Sequence, residues 1–278
     1  MVDAHQSHRE QAPVASPAPS VSIVMPAYQA AGTIARAVAS VLAQTLADWE
    51  LIVVDDGSSD ATTAAVHAAA KGDPRVFVRR LSKNIGAAAA LNIGWRSSRA
   101  ELVAILDADD IALPERLAQQ RKSLEGQPNI SALGAAAHFV DSRGKLLRTV
   151  IQPPDHSALQ RRRWYRNPFI HSTVMMRRTF LKATGGYADG LPLIYDYDLW
   201  MRGFFLGGFE YANLPEPLVL YTTQPIQRWA MVRAGARVRL RAGAREGRLL
   251  RACWAATRVL TEGAVEQTGI FSWLHRRP

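Results

Sequence analysis

Five consecutive apolar residues, Leu102-Val103-Ala104-Ile105-Leu106, run straight into Asp107-Ala108-Asp109-Asp110. An unbroken apolar run of strand length has to be buried on both of its alternating faces, which a sheet covered by helices on each side provides. In an open α/β sheet, ligands collect beyond the carboxyl ends of the strands, and this strand ends in three carboxylates. Asp107 and Asp109 alternate with Ala108, so in extended backbone both side chains project to one side, while Asp110 takes the turn into Ile111-Ala112-Leu113-Pro114. The trio has the chemistry of an oxygen cage for a hard divalent cation. Acidic residues that only cap a strand and start a turn would give the same pattern.

The stretches before it repeat one rhythm. Val21-Ser22-Ile23-Val24-Met25 is stopped by Pro26, and Ile34, Val38, Val41 and Leu42 then follow at helical spacing after Gly32. Leu51 to Val54 leads into Asp55-Asp56-Gly57-Ser58-Ser59-Asp60 and the Ala-rich stretch from Ala61 to Lys71. Val76 to Val78 is a third strand, and Gly86 opens a helix from Ala87 to Ser97 whose small first turn admits a backbone or a phosphate. Pro114 begins another helix, Glu115 to Glu125. Strands alternating with helices imply right-handed crossovers and a mostly parallel sheet. The loops Pro26 to Gly32, Asp55 to Asp60 and Asp107 to Asp110 therefore gather at one sheet edge, where a ligand site is expected.

Past residue 126 the rhythm changes. Leu133 to Val140 and Leu146 to Ile151 flank the turn Asp141-Ser142-Arg143-Gly144 as a hairpin, and Pro153-Pro154 breaks the chain. Ser172 to Met176 reads as a strand, Gly185-Gly186-Tyr187 as a loop, Asp198 to Leu206 as a helix and Leu218 to Tyr221 as a closing strand. The expected organisation is a disordered tail over 1–20, a ligand-binding half over 21–125, a second half over 126–225 that frames a cleft, and a basic helical segment over 226–278.

With 48% hydrophobic and 21% charged residues the chain is of globular composition. Met1 to Ser20 holds three prolines and no apolar run, so it reads as a tail and not as a signal peptide. No window is apolar enough to cross a bilayer. Cys253 stands alone, which excludes an intramolecular disulfide and makes the cytoplasm the expected location. Of the net charge of +10, the segment 226–278 carries +8, from eleven Arg against three Glu. Arg233, Arg237, Arg241 and Arg245 recur every four residues, and Leu249, Leu250, Cys253 and Trp254 follow. A basic amphipathic helix with Trp suits peripheral contact with an anionic membrane, on its inner face for a cytoplasmic protein. A solvated arginine face on a helix packed against the rest of the chain is the equal alternative, and Gly235, Gly243 and Gly247 weaken the helix reading.

Val24-Met25-Pro26-Ala27-Tyr28, Val53-Val54-Asp55-Asp56-Gly57-Ser58-Ser59-Asp60, Ala90-Leu91-Asn92-Ile93-Gly94, Leu106-Asp107-Ala108-Asp109-Asp110 and Tyr195-Asp196-Tyr197-Asp198-Leu199-Trp200 stand in the order found in inverting family 2 glycosyltransferases. The chain resembles that family over about residues 20 to 224. The resemblance implies a GT-A fold: a Rossmann-like nucleotide-binding α/β sheet fused to an acceptor-binding half, here with a basic helical C-terminal extension. It implies transfer from a nucleotide-sugar donor to a glycan or lipid-linked acceptor with Mn²⁺ or Mg²⁺. Pro26, Ala27 and Tyr28 would line the nucleotide, with Asn84 and Gly86 beside them. Asp55 or Asp56 would accept from the base or ribose, and a carboxylate suits a pyrimidine imide N–H, which favours a uridine or thymidine donor. Asp107 and Asp109 match the family's Asp-X-Asp motif, one reaching the ribose or the metal and the other the diphosphate-bound cation. Asp196 matches the general base, with Asp198 as the alternative.

The chain also departs from the family. Tyr195 stands where Glu is usual, Gln224 where a His often is, and Leu91 where many members carry Arg. His171, Gly186 and Trp200 belong to the acceptor region, where structural histidine, tight turn and packing are the plainer roles. Competing readings are a donor-binding homologue of low turnover and a nucleotidyltransferase, although Pro26 to Gly32 lacks the Lys or Arg that a triphosphate loop would carry. Nucleic-acid binding through the Arg-rich end is disfavoured, because no recognised nucleic-acid module accompanies the charge.

Overall fold

The computed structural model describes residues 17–191, 193–223 and 228–267; Gln224 and Met1 to Ser16 of the expected tail lie outside them. The first half runs β1 (Val21–Ala27), α1 (Ile34–Leu42), β2 (Trp49–Asp55), α2 (Thr62–Ala70), β3 (Val76–Arg80), α3 (Ala87–Ser97) and β4 (Leu102–Ile105). The second half runs β5 (Ile111–Ala112), α4 (Arg116–Gly126), β6 (Ile130–Val140), β7 (Leu146–Val150), α5 (His156–Arg162), a 3-10 turn (His171–Thr173), β8 (Met175–Arg177), α6 (Arg178–Thr184), α7 (Tyr195–Leu206) and β9 (Glu210–Thr222). Two helices, α8 (Arg228–Arg245) and α9 (Leu249–Gln267), follow.

The strands form one mixed sheet in the order β3-β2-β1-β4-β8-β6-β9-β5, with β7 paired to β6. The first four are all parallel, as crossover helices require. Both faces of these strands are dry: Ile23, Met25, Leu51, Val53, Ala104 and Leu106 pack under α1 and α2, and their neighbours Val24, Val103 and Ile105 pack on α3 and α7. That two-sided burial is the reason for continuous apolar runs instead of alternation. The sheet crosses residue 125 without a break, because β8 inserts antiparallel between β4 and β6.

Three segments depart from the sequence reading. Residues 171–173 form a 3-10 turn and not the start of a strand. Thr173 Oγ1 donates to the Ile170 carbonyl at 2.7 Å, a local bond that competes with sheet pairing. The closing strand spans Glu210–Thr222 instead of Leu218 to Tyr221; its register against β6 slips where Pro215 and Pro217 lie, so the prolines mark an irregularity and not an end. The helix expected from Asp198 begins at Tyr195.

The described part of the basic segment, 228–267, is helical despite its glycines, and 226–227 and 268–278 lie outside the described residues. A Cβ on Gly243 would lie 2.1 Å from the Ala252 Cβ, so the glycine lets α8 and α9 touch. Val238, Ala242, Ala252 and Ala255 pack on Trp164, Tyr197 and Met201. The buried Arg239 donates to the carbonyls of Trp164 (2.5 Å) and Tyr165 (3.0 Å), while Arg233, Arg237, Arg241 and Arg245 face solvent. Among the described residues no helix is long and apolar enough to cross a membrane.

Gly94 shows how closely α3 lies on the sheet: a Cβ there would meet Val24 Cγ1 at 2.3 Å. Gly94→Val is expected to cost about 1–3 kcal/mol through overpacking, read as a lower midpoint in denaturant unfolding, whereas the same change at the open Gly126 leaves the packing intact.

Candidate active site

The carboxyl ends of β1, β2 and β4 open onto one cavity of about 420 Å³, lined by Pro26, Ala27, Tyr28, Asp56, Asn84, Asp107, Asp109 and Tyr195 among others. The loop after β1 is held in place by the loop after β2. Gln29 adopts φ 51°, and its N–H donates to Ser58 Oγ (3.0 Å) while its side-chain amide donates to Ser59 Oγ (2.7 Å). The Ala30 N–H donates to Thr62 Oγ1 (2.8 Å) and the Ala31 N–H to Asp60 Oδ2 (3.1 Å). Tyr28 stands half exposed at the rim.

The two neighbouring carboxylates after β2 do different things. Asp55 is 1% exposed and points into the protein, accepting from the Ser58 N–H (2.9 Å) and the Thr63 hydroxyl. Burial pushes its pKa up, but the Ser58 and Thr63 hydrogen bonds and the Arg80 charge outweigh it and hold the carboxyl below its ordinary value. Asp56 lines the cavity, with its oxygens accepting from the Ile85 and Gly86 N–H groups at 2.8 and 2.9 Å. It fixes the Asn84–Gly86 loop and keeps one further lone pair on each oxygen. Gly57, at φ 72°, has to be Gly: a Cβ would meet the Lys83 carbonyl carbon at 2.5 Å.

The acidic loop after β4 does not act as a trio. Asp107 and Asp109 line the cavity, whereas Asp110 is buried and turned to β9, where its Oδ1 accepts the Thr222 N–H at 2.7 Å. The Thr222 hydroxyl in turn donates to the Asp109 carbonyl at 2.6 Å. The cause is local: β5 pairs with β9 immediately after Asp110, which draws that side chain to the strand end. Burial, with the charges of Asp107 and Asp109 added, pushes the Asp110 carboxyl well above its usual range.

Behind the loop lies Arg116, which reads as an ordinary surface residue in the sequence and is fully buried. Its guanidinium donates to the Ile105 carbonyl (2.7 Å) and to Gln120 Oε1 (3.2 Å). Burial lowers its pKa to about 10, with Asp110 and Asp107 opposing, so the cation persists at neutral pH.

The facing wall comes from the second half. His171 is buried, with Nδ1 3.7 Å from Asp107 Oδ1 and Nε2 3.0 Å from the Tyr187 hydroxyl. Burial favours the neutral imidazole, yet Asp107 more than offsets it and raises the His171 pKa. Tyr195, the departure from the family pattern, lines the cavity and stacks edge-on against His171 and Tyr187 at 5.6 and 5.8 Å. Burial first, then Asp107 and Asp196, push its phenol well above the ordinary value. Tyr195 thus presents a hydrogen-bond donor where a glutamate would present an acceptor.

Asp196 is partly exposed and accepts from the Asn167 amide at 2.5 Å. Asp198 is buried and paired with Arg202 at 2.7 Å. Arg202 also reaches the Gly186 carbonyl at 2.7 Å. Gly186 packs where a Cβ would lie 2.4 Å from Asn92 Oδ1, and Asn92 binds both the N–H and the carbonyl of Tyr187 at 2.9 and 2.7 Å. Gly186 and Tyr187 are therefore buried in the wall, whereas Gly185 before them is exposed. Trp200 is fully buried, T-shaped on Phe169 at 4.8 Å, which is a packing role. Asn167 carried no motif in the sequence.

Among the described residues no three His, Cys, Asp or Glu side chains converge as a ready-made metal cage. Two carboxylates on one cavity wall fit a cation that takes its remaining ligands from phosphate and water, which is the habit of Mg²⁺ and of similar hard ions. The residues present can hold such an ion together with a diphosphate. Because the Asp55 pKa is depressed in the folded state, its stabilisation is present above the unfolded value near 3.8 and lost as pH falls through the folded one. Asp55→Asn is expected to lower stability by about 1–3 kcal/mol between pH 5 and 7, with the gap to the parent closing below about pH 4 in denaturant titrations at each pH.

Comparison with known proteins places this geometry in a family. Residues 22–185, more than half of the chain, match the family model described as Glycosyl transferase family 2. EpsE of Bacillus subtilis, named as a glycosyltransferase, is 32% identical over 204 residues, covering 72% of each chain. The amylovoran biosynthesis glycosyltransferase AmsE of Erwinia amylovora is 36% identical over 179 residues, covering 63% of this chain and 65% of its own. Solved structures share the GT-A fold: TarS of S. aureus in complex with UDP (TM-score 0.64, 19% identity, 83% of this chain and 69% of that one), and the mannosyltransferase PcManGT of Pyrobaculum calidifontis in complex with GDP-Man and Mn²⁺ (TM-score 0.63, 20% identity, 90% and 76%). The chain belongs to glycosyl transferase family 2.

Proposed function

We propose that the chain transfers a sugar, with inversion, from a nucleoside-diphosphate sugar to a hydroxyl of a growing polysaccharide, a glycolipid or a lipid-linked glycan. The observation that carries this reading is the single cavity in which Tyr28, Asp56, Asp107 and Asp109 face Tyr195, with Asp196 next in sequence on α7. Relatives bind UDP and GDP-Man, and AmsE is named for the synthesis of a polysaccharide; both support the substrate classes. Uridine or thymidine is the favoured base, read by the free lone pairs of Asp56.

Asp196 takes the proton of the acceptor hydroxyl as that oxygen closes on the anomeric carbon, and Asn167 keeps the carboxylate in one orientation. The bond from the anomeric carbon to the phosphate oxygen breaks on the opposite face, and its electron pair leaves with the nucleoside diphosphate. Asp198 is an unsuitable base because Arg202 occupies it. Mn²⁺ or Mg²⁺ held by Asp107 and Asp109 would neutralise the charge that grows on the diphosphate. Burial pushes the Asp107 carboxyl up, but His171 and Arg116, set behind it, outweigh that and hold it below its ordinary value.

The test is a calorimetric titration of the chain with UDP, dTDP, GDP and ADP, each with Mn²⁺ and with EDTA. UDP or dTDP should bind in Mn²⁺ and lose affinity in EDTA; no binding by any nucleotide would overturn the reading. Asp109→Ala should weaken metal-dependent donor binding by about 10-fold or more. Asp196→Asn should leave donor binding intact and reduce transfer by about 10²–10⁴. Equal loss of donor affinity in both variants would refute this division of roles.

A further inference from the structure

The hairpin of α8 and α9 carries two kinds of arginine. Arg239, which donates to the carbonyls of Trp164 and Tyr165, is consumed by the fold. So is the pair formed with Glu246 by Arg163, at 2.5 Å and almost without exposure. Between Pro217 and Thr261 Glu246 is the one acidic residue, and this pair buries it. Arg233, Arg237, Arg241, Arg245, Arg248, Arg251 and Arg258 are all exposed. From Arg233 to Arg258 the exposed charges of the hairpin are therefore all positive.

Apolar side chains stand among these charges at the tip, where Gly247 turns the chain at φ 66°. Leu249, Leu250 and Trp254 are 53%, 88% and 57% exposed, within one helical turn of Arg245, Arg248 and Arg251 in sequence. Trp254 is also held in place, edge-on to Tyr165 at 5.6 Å. Exposing leucine and tryptophan costs free energy in water, and an interface with both an apolar and an anionic layer removes that cost.

We propose that the tip of this hairpin, Arg245 to Trp254, seats the protein on an anionic lipid surface, with Leu249, Leu250 and Trp254 entering the headgroup boundary and the arginines paired with lipid phosphates. Other occupants suit it less well. A second copy of the same face would oppose arginine to arginine. A nucleic acid would use the charges and leave the leucines in water. The proposal does not depend on the donor reading, but it bears on the acceptor: α8 and α9 pack on Tyr197 and Met201 of α7, the helix that begins with Tyr195 and Asp196. Lipid binding at the tip is thereby tied rigidly to the helix that bears the acceptor-side carboxylate.

The test is co-sedimentation of the full chain with phosphatidylcholine vesicles with or without phosphatidylglycerol, at low and at moderate salt. Partition onto the anionic vesicles should exceed that onto neutral ones by about 10-fold or more and fall with salt. Arg245→Gln/Arg248→Gln/Arg251→Gln and, separately, Leu249→Ser/Leu250→Ser should each lower it by about 10-fold, with unchanged unfolding midpoints and unchanged nucleotide binding. Equal partition onto both vesicle types would overturn the proposal. So would tighter binding to duplex DNA or RNA than to vesicles, or self-association that the leucine variant abolishes while vesicle binding persists.

Discussion

A buried cation makes the acidic loop possible. Asp107, Asp109 and Asp110 emerge from a strand closed to water on both faces, and such a cluster is self-repelling in low dielectric. Arg116 lies fully buried behind it, bonded to the last carbonyl of β4. Its charge offsets part of the repulsion, and Asp110 moves the rest out of the cavity by turning to Thr222. What remains facing the ligand is a pair of carboxylates on a rigid base. The same turn ties β9 to β4, so the electrostatics of the loop and the closure of the sheet are one arrangement.

Two walls depend on that base. One side is the end of a parallel sheet, where β1 and β2 place Tyr28 and Asp56. The other side is aromatic, with His171, Tyr187 and Tyr195 packed edge to edge. A phenol there in place of a carboxylate removes one negative charge from a site that already holds several, and supplies a proton to share with an anionic ligand. The chain thus departs from its family's pattern in a direction that its own crowding of carboxylates favours.

How much of this was legible in the sequence depended on range. The strand ends and their loops were readable because a buried strand and its turn are local patterns: Gly57, Asp56 and the alternation of Asp107 with Asp109 all act within a few residues. Arg116 was not readable, because a helix beginning Arg-Leu-Ala-Gln-Gln looks amphipathic and exposed, and the carbonyls of Ile105 and Val174 that receive its guanidinium lie 11 and 58 positions away. Asp110 was read as a third ligand because nothing near it announced Thr222, which lies 112 positions away. Pro215 and Pro217 concealed the first half of β9 for a similar reason: proline denies a strand by local rules, and pairing on either side of an irregular register restored it.

The bracing of the loop after β1 has a thermodynamic consequence. Ser58, Ser59, Asp60 and Thr62 already hold the backbone of Gln29, Ala30 and Ala31 in place, and Asp56 already holds Ile85 and Gly86. Ordering these segments costs conformational entropy once, during folding, and not again each time a ligand arrives. This end of the cavity is therefore preorganised, and the affinity of a ligand bound there is not diminished by loop ordering. Any adjustment on binding falls to the partly exposed side chains at the rim, Tyr28 and Asn84, which move by rotamer changes on the scale of nanoseconds.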